Sequence, residues 1–207
     1  MGKQITLTDF VQNSPESDKD NCIYVVDIET TSTRPYDGSI VEIGICELNL
    51  ETGNVKCIFD EIVREDGFNV GDRNAWIFSN SDLTYKEVLA APRFGGLIEK
   101  LQEIFERRPS TAYNKRFDFG WLRSRGLKIL ELPCPMIAAT PIIRLPPVFE
   151  DHDFKYPKVE EAWDYYYPDL DYVEKHRAYD DAEHEAMIVY AMYKSKHWEP
   201  VIRENAN

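Results

Sequence analysis

No stretch of the sequence is apolar for long enough to cross a bilayer. The opening residues Met1-Gly2-Lys3-Gln4 also lack the apolar run of a secretory leader. Gly2 stands where a myristoylated glycine would, but a single acyl chain without a second membrane signal anchors only marginally, so no membrane partner is expected. Cysteine is scarce. Cys22, Cys46, Cys57 and Cys134 show no CxxC spacing, and the first three fall on expected strands, so they read as reduced core residues and point to a cytoplasmic location. Positive charge is also in short supply, with 24 Lys and Arg against 37 Asp and Glu, a net charge of −13. Such a surface does not hold long duplexes passively. A nuclease is still allowed, because bound cations can supply the local positive charge.

One stretch departs from the acidic balance. Residues 107–128 hold Arg107, Arg108, Lys115, Arg116, Arg123, Arg125 and Lys128 against the single Asp118. That is either a phosphate track or a solvated helix face. No internal repeat is present.

What the sequence does have is a core. With 207 residues, 43% hydrophobic and 13% aromatic, it is long enough for one well-packed domain. Residues 1–20 are polar and contain Asn13-Ser14-Pro15-Glu16-Ser17-Asp18, which reads as an arm. The domain covers 21–198 and a tail follows over 199–207. Strands are expected at about 22–29, 39–49 and 55–63, with Glu51-Thr52-Gly53-Asn54 as a turn, giving an antiparallel meander. A loop with Trp76 and Phe78 and a short helix near 82–89 come next. Ala91-Pro92 opens a helix to about Arg107. Short strands at 110–113 and 128–132 flank a helix from Lys115 to Arg125 closed by Gly126. Further helices are expected at 135–145, around Val159–Tyr167, and from near His176 to Lys196. The class is α/β: a mixed five-stranded sheet, three antiparallel strands and then αβαβα, flanked by helices.

The chain is organised around Val25-Val26-Asp27-Ile28-Glu29-Thr30-Thr31. Strand side chains alternate, so Asp27 and Glu29 share a face. Two acids on one face of a core strand repel and lose hydration, which calls for something positive between them, most simply a divalent cation. Asn114-Lys115-Arg116-Phe117-Asp118 adds a third carboxylate where a strand hands over to a helix, whose N-terminus favours an anion. In the last helix, Ala178, Ala182, Ala186, Val189 and Tyr193 centre the buried stripe. Asp181 lies about 100° from that centre and Asp180 about 160°, so Asp181 reaches the site and Asp180 faces solvent. His176 precedes the helix. Four carboxylates and a histidine suit a two-metal phosphodiesterase: the acids hold Mg²⁺ or Mn²⁺, and a neutral histidine takes a proton from water near pH 7.

At these residues the sequence resembles the DEDDh 3′–5′ exonucleases. The family's DxET is similar to Asp27-Ile28-Glu29-Thr30, its second motif to Asn114…Phe117-Asp118, and its H-x4-D to His176…Asp181, in order and over about residues 22–195. The resemblance implies a ribonuclease H-like fold, so that 21–198 is an exonuclease domain. It also implies two divalent ions, Mg²⁺ or Mn²⁺. Asp27, Glu29 and Asp181 would ligate one ion, Asp27 and Asp118 the other, and His176 would be the general base. Backbone around Thr30 and Thr31 would cradle the 3′-terminal nucleotide, Asn114 would contribute to that binding, and Phe117 or the Trp76/Phe78 loop would stack on the last bases. The partner is a nucleic acid with a free 3′ end, and a proofreading role would need a polymerase; a homodimer is the other partner considered. Ser32, where many members have Gly, and Tyr113, where His often precedes the Asn, depart from the pattern without removing a ligand.

The function expected is hydrolysis of single-stranded DNA or RNA from the 3′ end, releasing 5′-mononucleotides. The alternatives are a catalytically weak nucleic-acid- or polymerase-binding module on the same fold, and an endonuclease. Trp76 and Phe78 read first as packing residues, and Tyr165-Tyr166-Tyr167 as a cover over the core. His152, His184 and His197 have no acids in company.

Overall fold

The computed structural model describes residues 4–6, 21–148 and 153–203. In chain order the strands are β1 (Gln4–Thr6), β2 (Cys22–Thr30), β3 (Ile40–Asn49), β4 (Val55–Ile62), β5 (Ser110–Thr111) and β6 (Val201–Arg203). β1 and β6 pair antiparallel on their own, an element that the polar ends of the sequence do not announce. The other four make one sheet in the order β4-β3-β2-β5. β2, β3 and β4 form the expected antiparallel meander, and β5 lies parallel to β2. The β3–β4 turn closes where Gly53 takes a φ of 78° and the Asn49 side chain accepts the Glu51 and Thr52 N–H groups.

The expected fifth strand at 128–132 does not form one. It is extended and makes only two backbone hydrogen bonds to Ser110, through the carbonyl of Leu130 and the N–H of Leu132. Its neighbour β5 is two residues long, and Pro133 follows at once, so the ladder cannot extend.

The helices are α1 (Ile77–Asn80), α2 (Tyr85–Ala90), α3 (Ile98–Arg107), α4 (Lys115–Ser124), α5 (Pro135–Ile143), α6 (Val159–Tyr166) and α7 (Ala178–Lys194). The α3 helix starts later than Pro92 suggests. Phe94–Gly96 is a single 3-10 turn, and two adjacent glycines are poor helix formers. None of the described helices is long and apolar enough to cross a membrane.

Strand alternation divides the core in two. Tyr24, Val26 and Ile28 pack with Leu101, Ile104 and Phe105 of α3 and with Phe119, Trp121 and Leu122 of α4. Ile23 and Val25 face the other way, onto Ala182, Ala186, Val189 and Met192 of α7 and Trp163 of α6. Asp27 and Glu29 continue the face of Ile23 and Val25, so they point towards the α7 side. The Cys46 thiol lies 3.2 Å from the Ala182 carbonyl oxygen, which fixes how closely α7 docks. Cys22, Cys46 and Cys134 are buried and Cys57 is exposed, so the core reading of Cys57 is corrected; none of the four forms a disulfide.

That docking depends on Gly44, which pairs with Asp27. A Cβ there would stand 2.2 Å from the carbonyl of Ala178 and 2.4 Å from the Tyr179 nitrogen, at the start of α7. Gly44→Ala is therefore expected to lower stability by about 1–3 kcal/mol through overpacking. Gly67→Ala, where a Cβ meets nothing within 4 Å, is the control. Equal denaturation midpoints for the two variants would contradict this packing.

Candidate active site

Three elements converge at the C-terminal end of β2. Asp27 and Glu29 sit half-buried on its α7-facing side. Asp118, 3% exposed, enters from the first turn of α4, whose start is fixed by Asn114: its carbonyl accepts the Phe117 N–H at 2.8 Å and the Asp118 N–H at 3.4 Å. Asp181 enters from the first turn of α7 and is buried. Ligand atoms of Glu29, His176 and Asp181 all lie within 4.8 Å of one another. Asp27 feels the charges of Asp118, Glu29 and Asp181, so all five residues picked from the sequence meet at one place.

The site is short of positive charge. Burial first, and then Glu185, Asp118, Glu29 and Asp181, push the Asp27 carboxyl well above the usual range. Burial, Asp181 and Glu42 do the same to Glu29. Burial lifts Asp118 to about 8, moderated by backbone N–H bonds from itself and Ile28. Asp181 is raised by burial and restrained by the Tyr172 hydroxyl and the Arg177 N–H. Among the described residues no Lys or Arg pairs with Asp27, Glu29, Asp118 or Asp181. The carboxylate oxygens fit a hard divalent cation such as Mg²⁺ or Mn²⁺, with the His176 imidazole beside them.

Glu42 shows what a balanced acid looks like in the same fold. It is 1% exposed, opposite Glu29 on β3. Arg177 grips it through Nε at 3.0 and 3.1 Å and Nη2 at 2.6 Å, and the Ala178 N–H adds a fourth bond at 3.1 Å. The other arm of Arg177 reaches Asp82 at 2.7 Å. This clamp holds the turn carrying His176, whose φ of 55° is left-handed. Asp181 holds the same turn, accepting the Lys175 N–H at 3.4 Å, the Arg177 N–H at 3.0 Å and the Tyr172 hydroxyl at 2.8 Å. Glu174 Oε1 stands 3.9 Å from His176 Nδ1, and burial lifts its carboxyl to about 7.

Trp76 is not a packing residue. It is 59% exposed, and its ring meets the His176 ring edge-on with centroids 4.7 Å apart. Phe78 does pack, against Phe68 and Tyr85. Tyr167 covers the core, its hydroxyl on the Met187 carbonyl, while Tyr165 is exposed.

Beside the acids, Thr33, Pro35, Asn114, Arg116, Phe117 and Trp121 line a groove of about 240 Å³. Thr30 and Thr31 close the loop above it: the Thr30 hydroxyl donates to the Ser32 carbonyl at 2.7 Å and the Thr31 hydroxyl accepts the Ser39 N–H at 2.9 Å. Ser32, the departure from the family pattern, has its Cβ where a Cβ on Gly38 would come within 2.5 Å, so Gly38 lets the two sides of this loop close on each other.

The basic stretch is mostly spoken for. Arg108 pairs with Glu47, Lys115 and Arg123 with Glu131, and Arg107 with Glu103. Arg125 binds Glu65 and donates to the carbonyls of Pro35 and Gly38 while lying over Trp121. Arg107, Arg116, Arg123 and Lys128 stay exposed, as the solvated-face reading expects, and Arg116 lines the groove.

Two readings near α7 change. Asp180 is only partly exposed, because it binds Lys175 at 2.6 Å and its carbonyl meets His184 Nδ1 at 2.7 Å. His184 does have acidic company, and it stacks on Tyr172 at 4.2 Å. His197 meets Tyr166 at 2.9 Å, away from the acids; His152 lies outside the described residues. Glu185 was missed. It is 4% exposed, accepts the Tyr113 N–H at 3.1 Å, and is the acid acting most on Asp27. Helical arithmetic would have found it, since it falls about 60° from the stripe centre, nearer than Asp181.

Free of divalent ions, this cluster weakens the fold as pH rises. The raised carboxyls of Asp27, Glu29, Asp118 and Glu185 keep their protons when folded, whereas the unfolded chain gives up that of Asp118 near 3.8. Stability is therefore full below that value and is lost as pH climbs towards about 8 at Asp118. His176, Asp181, Glu174 and the Glu42–Arg177 pair are the other titratable or charged groups facing them. In EDTA the Tm should fall between about pH 6 and about pH 8.5, and saturating Mn²⁺ should remove most of that fall. Identical melts at both pH values in EDTA would contradict the cluster's electrostatics.

The exonuclease family model named RNase T matches residues 24–189. No curated protein matches the sequence. Among solved structures, a 3′-exonuclease in 3′-end-specific recognition of a histone mRNA stem-loop is 14% identical with a TM-score of 0.64, covering 90% of this chain and 92% of that one. The nuclease domain of 3′hExo, described as a DEDDh family member bound to rAMP, is 16% identical with a TM-score of 0.62, covering 88% and 96%. A full-length 3′-exonuclease, 15% identical with a TM-score of 0.64, is matched over 90% of this chain and 65% of its own length. The sheet, the convergent acids and the family match over most of its length agree: the chain belongs to the RNase T exonuclease family.

Proposed function

We propose that the chain is a divalent-metal-dependent 3′–5′ exonuclease that releases 5′-mononucleotides from the 3′ end of single-stranded DNA or RNA. The observation that carries this reading is the meeting of Glu29, His176 and Asp181 ligand atoms within 4.8 Å, beside Asp27 and Asp118, with no basic side chain paired to any of the four acids among the described residues. Glu29, Asp181 and Asp27 would hold one ion, and Asp27 with Asp118 the other. When bound, such ions supply Lewis acidity at the scissile phosphate and offset charge on the attacking and leaving oxygens.

The rest is the work of the chain's own residues. Glu174 flanks His176 Nδ1, so Nε2 is the nitrogen left to take a proton from the attacking water. The water oxygen bonds to phosphorus as the bond to the 3′ oxygen of the penultimate nucleotide breaks. The terminal nucleotide departs with its 5′ phosphate. The loop of Thr30 and Thr31 and the groove walls Asn114 and Phe117 would seat that nucleotide, with Arg116 near its phosphates. Trp76, exposed against His176, is placed to stack on a base. RNA is the first substrate to test, since two of the similar structures are described with an mRNA stem-loop and with rAMP. With this reading go an exonuclease domain at 21–198, a cytoplasmic location suited to four cysteines outside any disulfide, and a polymerase or second copy as protein partner.

With 5′-labelled single-stranded RNA and DNA, a ladder shortening from the 3′ end should appear in Mn²⁺ or Mg²⁺ and vanish in EDTA. Internal cleavage of a circular substrate would favour an endonuclease instead, and no shortening in either metal would overturn the reading. His176→Ala should lower kcat by about 10²–10⁴ with little change in KM, the range for losing a general base.

A further inference from the structure

The family pattern accounts for four acids, and the cleft holds a fifth. Glu185 lies one turn after Asp181 on α7, so both project from the same side of the helix. That side packs on β2, where Ile23 and Val25 meet Ala182 and Ala186 and where Asp27 comes next on the face. The Tyr113 N–H, 3.1 Å from Glu185 Oε2, gives a second bearing. Val25 pairs with Thr111 at the end of the parallel ladder, and Tyr113 and Asp27 each follow two residues later. One residue after Tyr113 comes Asn114, which starts α4 and with it Asp118. Glu185 thus stands between the strand that carries Asp27 and the helix start that carries Asp118.

The electrostatics agree with that placing. Glu185 is the neighbouring charge acting most on Asp27, and Asp118 the one acting most on Glu185. Asp181 acts most on Glu29, and the acids form one continuous group, since Asp118 also acts on Glu29 and Asp181 on Glu185. Compared with Glu42, Glu185 is in a different position. Both are buried acids that accept one backbone N–H, yet Glu42 also has the Arg177 guanidinium, and no described Lys or Arg pairs with Glu185. One backbone N–H does not offset the desolvation of a carboxylate next to two more. A divalent cation would.

We propose that Glu185 is a fifth carboxylate of the metal centre, holding an ion together with Asp27 and Asp118 on the side of the cleft away from His176. This rests on the metal-dependent reading above. With three carboxylates that position gains enough charge to keep its ion without nucleotide present, because ligand charge count tunes affinity for a hard cation.

Titration calorimetry of Mn²⁺ into the metal-free full-length chain, without nucleotide, tests it. The wild-type chain should take up two ions. Glu185→Gln keeps an acceptor for the Tyr113 N–H and removes only the charge, and it should bind one of the two ions at least tenfold more weakly while its EDTA melt shows a folded protein. Asp118→Asn should weaken the same ion, and Glu29→Gln the other. If Glu185→Gln binds both ions as tightly as wild type, Glu185 is a neutral anchor for Tyr113 and the proposal falls, with the four-acid reading intact. If the wild-type chain takes up no Mn²⁺ at all, the metal-dependent reading falls and this proposal with it.

Discussion

A carboxylate removed from water without a partner costs on the order of several kcal/mol, and this fold gathers several on one face. The crowding follows from strand geometry. Alternation along β2 that sends Ile23 and Val25 into the core beneath α7 sends Asp27 and Glu29 to its open end. The same packing draws in Asp181 and Glu185, because they lie on the helix face that meets the strand. The core and the charge cluster are one arrangement, read at two ends of the same interface.

The fold tolerates this by keeping the surroundings tight and selectively neutralised. Gly44, Ala178, Ala182 and Ala186 let α7 lie close to the sheet, so the acids it carries need no long reach. Glu42, which would have added to the repulsion, is taken up by Arg177 and turned into an anchor for the His176 turn. Asp181 serves in two ways: it accepts backbone N–H groups on either side of His176 and presents its oxygens to the same cleft. The left-handed backbone at His176 is therefore held from two sides.

Much of this was legible in the sequence. The period-two placing of Asp27 and Glu29, the Asn114–Asp118 strand-to-helix junction and the choice of Asp181 over Asp180 all follow from local geometry, and all stand in the structure. What escaped depends on contacts distant in sequence. The 128–132 segment has strand-like residues but only a two-residue neighbour to pair with. The cations of 107–128 look free until Glu47, Glu65 and Glu131 are brought to them by the fold. Trp76 reads as core by its size, and only the position of the His176 turn shows why it is exposed. Glu185 is within reach of the helical arithmetic, yet nothing local distinguishes it from the charged residues that face water in the middle of a helix.

Arg125 has a consequence for how a nucleotide would be received. Its guanidinium binds the Pro35 and Gly38 carbonyls, the Glu65 carboxylate and the Trp121 ring at once. The loop above the groove and the helix below it are thereby fastened into one wall. Under the proposed function, a strand end seated there would meet a wall already set, and little of its binding energy would go into ordering protein. The enzyme's grip on successive nucleotides would then be uniform from one step to the next, with selectivity residing in what fits the mould rather than in what can remake it.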